Sequence, residues 1–140
     1  MSIRIALGDW ATQQPIAQAI RYEVFVIEQN IPAALEWDDV DAHCLHAVAY
    51  DAQGDAIGTG RLLPDGHIGR MAVKKTARGG GTGGAILQAL IDAAQERGDA
   101  VVMLNAQSQA EAFYARHGFT RDGAEFLEAG IPHIHMRRRL

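Results

Sequence analysis

The sequence holds a single cysteine, Cys44, which excludes an internal disulfide and a multi-cysteine zinc site. Aromatic residues make up only 6%, and there are four prolines. No apolar run approaches the ~18 residues that a membrane-spanning helix needs. Met1 to Ile5 lacks the continuous apolar stretch of a signal peptide. Basic charge is also scarce: 13 Lys and Arg stand against 17 Asp and Glu, for a formal net charge of −4. A global attraction to nucleic acid or to an anionic membrane is not expected from that balance. Together these absences predict a reducing, cytoplasmic protein with neither a nucleic acid nor a membrane as its partner.

What is present is globular. Hydrophobic residues make up 48% and charged residues 21% of 140 residues, so residues 1–140 read as one domain with a real core. Ile3 to Leu7 alternates as a strand does. Ile16, Ala19, Ile20 and Val24 recur at helical spacing, and Pro15 suits a first turn, so a helix is predicted from about Thr12 to Val26. Glu28 to Asp41 has no period and reads as a loop. Its acids Glu36, Asp38, Asp39 and Asp41 form either a negative rim for a cationic ligand or a plain solvated run. Leu45–Tyr50, Ile57–Leu63 and His67–Val73 read as three consecutive strands, joined by Asp51–Asp55 and by Pro64-Asp65-Gly66.

After Gly84 the period becomes helical again through Ile86, Leu87, Leu90, Ile91 and Ala94, and Arg97-Gly98 closes that helix. Val101 to Leu104 is continuously apolar, like a strand buried on both faces. Gln109 to His117 reads as a short helix. Phe119–Glu125 and Ile131–Arg138 read as a closing hairpin around Glu128-Ala129-Gly130, and Arg137 to Arg139 as a solvated terminus. The order β-α-β-β-β-α-β-α-β-β predicts an α/β fold: a mixed, mostly antiparallel central sheet flanked by helices.

The chemical signal is the segment Arg78-Gly79-Gly80-Gly81-Thr82-Gly83-Gly84, placed between a strand and a helix. Glycines let successive backbone N–H groups converge, and a following helix adds its unbonded first-turn N–H groups and its positive dipole end. That is an anion site suited to a pyrophosphate, flanked by Lys74, Lys75 and Arg78. Gly79-x-Gly81-x-x-Gly84 also spells the dinucleotide fingerprint. That reading lacks an acid at the tip of the next strand, which ends at Leu104-Asn105, and a three-stranded meander precedes the loop. A P-loop would need Lys and Ser or Thr where Ala85 and Ile86 stand.

Arg78-x-x-Gly81-x-Gly83, following Ile68-Gly69-Arg70-Met71-Ala72-Val73, resembles the acetyl-CoA loop of the GCN5-related N-acetyltransferases. Ala110 to Phe119 is a second family-like segment. Arg21 to Gln29 and Gly130 to Met136 resemble the ElaA-type branch. The resemblance covers essentially the whole chain. It implies direct transfer of an acetyl group from acetyl-CoA to a primary amine, with no metal. The pyrophosphate would sit on the main chain of Arg78, Gly79, Gly80, Gly81, Thr82, Gly83 and Gly84. The pantetheine arm would pair along Met71, Ala72 and Val73 as an added strand, with the flanking strands splayed, and Asn105 would join the cofactor contacts. A backbone N–H at the end of that strand would hold the developing oxyanion. Gly80 departs from the family, whose members often carry a longer side chain there. Homodimers are frequent among such proteins.

The resemblance also implies that Tyr114 is the general acid that protonates the departing sulfur. A phenol of pKa ~10 faces a thiolate whose conjugate acid has pKa ~8.5, a narrow margin. For the base, Glu28, Glu36, Asp38, His46, His133 and His135 are all candidates; His133 and His135 share one face of the last strand. The residues expected to carry catalysis are Tyr114, His133, His135 and Glu36. Phe113 reads as core, and Cys44 as inert. The alternatives are a CoA-binding sensor without catalysis and, from GxGxxG alone, a nicotinamide-dependent oxidoreductase.

Overall fold

The computed structural model describes residues 2–140. The chain opens with strand β1 (Arg4–Gly8). Helix α1 (Trp10–Arg21) starts on an Asp9 cap, whose side chain accepts from the Thr12 N–H at 2.9 Å. The helix does not stop where its apolar period runs out. It widens into a π-helical segment, Tyr22–Glu28, that buries Val24 and Phe25. The short helix α2 (Ala33–Glu36) and a 3₁₀ turn (Asp39–His43) follow, so the region read as loop carries two helical turns.

Strands β2 (Leu45–Tyr50), β3 (Ala56–Leu62) and β4 (Ile68–Val73) then run antiparallel, and with β1 they form a sheet ordered β1-β2-β3-β4. Helix α3 (Thr82–Glu96) leads to β5 (Val101–Gln107), and a 3₁₀ turn leads into α4 (Glu111–Arg116). The closing hairpin is split. Phe119–Glu125 supplies only β6 (Thr120–Arg121), while β7 (Phe126–Glu128) makes the turn into β8 (Ile131–Arg139). The second sheet is ordered β5-β8-β6, with β7 also on β8. The arginine-rich end is therefore strand, not a loose terminus, and Arg138 donates to the His117 carbonyl at 2.9 Å.

Among the described residues one isolated parallel bridge joins the two sheets, His67 to Met103, with the Met103 N–H donating to the Gly66 carbonyl at 3.1 Å. Beyond it β4 and β5 diverge, and both present unpaired edges. The cause lies in the β3–β4 ladder. Thr59 opposes Ala72 and Arg61 opposes Gly69, so Arg70 and Met71 of β4 together face Gly60 of β3. That extra residue is a β-bulge, which turns the end of β4 away from its neighbour.

The larger core cluster joins α3 to both sheets. Ile86, Leu87, Leu90, Ile91 and Ala94 pack against Ala47, Ala49, Leu62, Val102, Leu104, Ile134 and Met136. Burying each of the larger side chains contributes about 1.5–3 kcal/mol. On the other face, Ala17, Ile20, Val24 and Phe25 cover Val48 and Ala72. β5 corrects the reading of a strand buried on both faces. Val102, Leu104 and Ala106 are core, whereas Asn105 on the opposite face is exposed. The diverging sheets leave that face uncovered.

α3 approaches β3 closely because Gly60 has no side chain. A Cβ there would lie 2.7 Å from Met71 Sδ and 2.9 Å from Ile86 Cγ2. Gly60→Val is expected to destabilise the fold by about 1–3 kcal/mol through overpacking. The midpoint of urea unfolding measures this; an unchanged midpoint would show that the α3–β3 contact yields freely.

Candidate active site

The divergence of β4 and β5 opens a cleft with two successive halves. The narrower half, about 490 Å³, is walled by Val24, Glu28, Met71, Ala72, Val73 and Arg78, among others. The wider half, about 590 Å³, reaches Glu36, Arg70, Asn105, Tyr114, Glu128 and His133. Gln29, Met71 and Gln107 wall both halves. Gln107 donates its amide to Gln29 Oε1 at 3.0 Å, so this pair marks the partition.

The edge of β4 predicted from sequence, Met71 to Val73, does line the cleft. The glycine loop adjoins it. Gly81 caps α3 at φ 84°, in the left-handed region that favours glycine. No side chain caps this end, and the first main-chain bond into the helix is Ala85 N–H to Gly81 O at 3.0 Å. The N–H groups of Thr82, Gly83 and Gly84 therefore have no partner within the helix. Gly79 to Gly84 line neither half of the cleft. They follow directly on Arg78, which does.

Of the flanking cations, Arg78 is engaged by protein groups. Arg78 makes a bidentate pair with Glu28, at 2.6 and 2.7 Å, and donates Nε–H to the Val73 carbonyl at 3.1 Å. Hydrogen bonding to Arg78 holds the Glu28 carboxyl below its ordinary range. The pair joins the π-helical segment to the glycine loop across the narrower half.

Tyr114 stands on α4 with its ring edge-on to Phe113, centroids 5.0 Å apart, and lines the wider half. Burial pushes its phenol up to about 12. His133, only 7% exposed, lies on β8 opposite Gln107. Its Nδ1 is 2.6 Å from the Ile131 carbonyl, which can only accept, so Nδ1 carries the proton. In the neutral ring Nε2 is then an open acceptor, 3.6 Å from Glu128 Oε2. His135 shares the face, as predicted, but lines neither half of the cleft. Its Nδ1 pairs with Asn105 Oδ1 at 2.8 Å.

Of the four acids Asp39 is exposed, as a solvated run predicts, while Glu36, Asp38 and Asp41 are paired with arginines. Arg21 binds Glu36 at 2.6 Å and Asp41 at 2.8 Å. Arg61 binds Asp41 at 2.8 Å and Asp38 at 2.9 Å. Arg70 completes the set at 3.5 Å from Glu36 and 3.3 Å from Asp38. Three cations balance three anions. Burial raises the Glu36 carboxyl above its ordinary value, against the pull of Arg21. His46 lies behind this network, 2.9 Å from the Asp41 carbonyl and 4.7 Å from the Trp10 ring, away from the cleft. Cys44 is buried, its thiol pushed up to about 11 by desolvation, which keeps it unreactive as expected. Among the described residues no group of three or more His, Cys, Asp or Glu side chains could hold a metal. None of their helices is long and apolar enough to cross a membrane.

Sequence reasoning did not single out Gln29, Gln107, Arg61, Arg70 or Glu128. Arg61 and Arg70 lay within predicted strands, Gln107 and Glu128 outside their ends and Gln29 in the predicted loop, so polarity was their only shared signal.

Residues 12–140 match the model of the acetyltransferase (GNAT) domain. The chain belongs to the GNAT acetyltransferase family. It is 43% identical over 123 residues to an uncharacterized N-acetyltransferase, YjcF, of Bacillus subtilis, covering 85% of this chain and 87% of that one. An acyl-CoA N-acyltransferase from Pseudomonas aeruginosa superposes with a TM-score of 0.86 at 33% identity, covering 98% of this chain and 99% of that one. Escherichia coli ElaA does so at 0.86 and 26% identity, over 99% and 100%. This GNAT protein is thus an acyltransferase of the N-acetyltransferase type. Family and fold leave the nicotinamide alternative without support.

Proposed function

We propose that the protein transfers the acetyl group of acetyl-CoA directly to a primary amine, in the cleft between β4 and β5. The observation that carries the reading is the continuity of three features. The open edge Met71–Val73 and the wider cavity with Tyr114 and His133 belong to one cleft, and the glycine-capped start of α3 adjoins it just past Arg78. Acetyl-CoA supplies the acetyl group and a thiol leaving group. The main chain of Gly79 to Gly84 would hold its pyrophosphate, and the β4 edge its pantetheine arm. Asn105, on the wall of the wider half, would complete the cofactor contacts.

The side chains divide the proton work. His133 accepts at Nε2, because Nδ1–H is committed to Ile131, and the Glu128 carboxylate stabilises the imidazolium that forms. Glu36 is not given that role, since both its oxygens face guanidinium groups. Tyr114 donates to the sulfur. Proton balance closes: an ammonium loses one proton before attack, which passes to solvent through His133. A second leaves nitrogen as the C–N bond forms and the C–S bond breaks, and it matches the one that sulfur gains.

Calorimetric titration with acetyl-CoA tests the site. Gly80 lies outside the left-handed region, so Gly80→Glu adds a carboxylate without backbone strain. Wild type is expected to bind, and the folded variant to lose binding by like-charge repulsion at the pyrophosphate position. Absence of binding to wild type would overturn the reading.

A further inference from the structure

The wider cavity carries two cations that acetyl transfer does not use. Arg61 is 6% exposed, and its Nε–H has no hydrogen-bond partner. Arg70 sits at the bulge of β4 with φ 48°. That left-handed conformation costs an arginine about 1–2 kcal/mol, and a glycine almost nothing. Gly69 is its immediate neighbour, yet the strained position holds an arginine whose side chain walls the cavity. Strain kept in this way points to a task.

The nearby acids do not account for Arg70. Glu36 is already held by Arg21 at 2.6 Å, and Asp38 by Arg61 through two bonds of 2.9 Å. Arg70 reaches the same carboxylates only at 3.5 and 3.3 Å. Among the described residues no hydrogen bond uses its Nη1. Its side chain is 27% exposed, so part of the guanidinium fork remains open to the cavity. Phe25, Ile31, Leu35, Leu63 and Leu104 give the same cavity an apolar wall. The remaining carboxylate there is Glu128, beside His133.

We propose that the acceptor is a free amino acid with an apolar side chain. Arg70 takes its carboxylate, the apolar wall takes its side chain, and its amine lies by Glu128 and His133. The inference rests on the N-acetyltransferase reading above.

Two matched pairs test it: leucine against 3-methylbutylamine, and phenylalanine against 2-phenylethylamine. Each pair differs only by the carboxylate. Wild type is expected to prefer the amino acid in kcat/KM by about 10- to 100-fold, the range of one charge-assisted hydrogen-bonded contact. Arg70→Gln should collapse that ratio, mainly through KM. Arg70→Lys, which keeps the charge but not the fork, should retain part of it; melting curves of both variants check the fold. Equal use of both members of each pair overturns the proposal and leaves acetyl transfer standing, as does a ratio that survives in Arg70→Gln. If acetyl-CoA binds but no amine in a broad panel is acetylated, the reaction assignment fails instead. Calorimetry with N-acetylleucine and N-(3-methylbutyl)acetamide then decides the site. Tighter binding of the carboxylate, lost in Arg70→Gln, supports it; equal or absent binding overturns it.

Discussion

Tyr114→Phe is expected to lower kcat by about 100-fold or more while the affinity for acetyl-CoA stays near wild type. General acids and bases contribute ~10²–10⁴-fold when they are removed. The substitution deletes one oxygen and keeps the ring between Phe113 and Phe119, whose centroids lie 5.0 and 6.1 Å from that of Tyr114. Stability should change little, which separates a chemical role from a packing one. Burial cuts both ways at this position. It pushes the phenol up to about 12, so Tyr114 stays protonated at any working pH but is a weaker acid. Transfer to a solvated thiolate of pKa ~8.5 would be uphill. A thiolate desolvated in the same cleft is more basic, as the rise of the Cys44 thiol to about 11 illustrates. Desolvation would thus move the phenol and the thiolate in the same direction. A kcat within about twofold of wild type, with CoA binding intact, would remove Tyr114 from the mechanism; complete inactivity of the wild type toward amines would favour a CoA-binding sensor.

Arg21→Met is expected to cost about 3–5 kcal/mol, a large share of the ~5–15 kcal/mol that holds a domain folded. Arg21 is 1% exposed and reaches Glu36 at 2.6 Å, Asp41 at 2.8 Å and the Glu36 carbonyl at 3.1 Å. Trp10 and Trp37 stand 5.5 and 5.2 Å from its guanidinium carbon. Its loss leaves Glu36 buried with only the loose Arg70 contact. Urea unfolding of wild type, Arg21→Met, Glu36→Met and the double variant forms a cycle. Recovery of part of the loss in the double variant would show that the penalty is an uncompensated buried charge. Additive losses would show that packing of the arginine stem dominates. The network also has a sign in pH. Asp38, drawn down to about 2 chiefly by its hydrogen bonds from Arg61, contributes stability that is full above its unfolded pKa of 3.8. That contribution is lost as the pH falls through about 2.

The elements with strong local period were legible in the chain. β2 is found at the predicted residues, and α3 follows its stripe because an amphipathic helix needs only one apolar face, which spacing displays. The glycine-capped start of α3 was legible for a similar reason: a glycine-rich turn between a strand and a helix is set by residues adjacent in the chain, without distant partners.

Local pattern failed where a long-range partner decided the outcome. The helix expected to end near Val26 runs on as a π-helix to Glu28, and Arg78, fifty residues away, pairs with that last residue. The acids 36–41 could not be distinguished from a solvated run, because their partners Arg21, Arg61 and Arg70 arrive from α1, β3 and β4 only when the chain folds. Gln107 went unread just past an apolar run, because the face it shares with Asn105 is uncovered by a bulge in a different strand. The family motif and the helix–strand order follow from short-range spacing. The shape of the cleft, the neutralised acids and the open fork of Arg70 follow from contacts between residues far apart in the chain, which spacing does not encode.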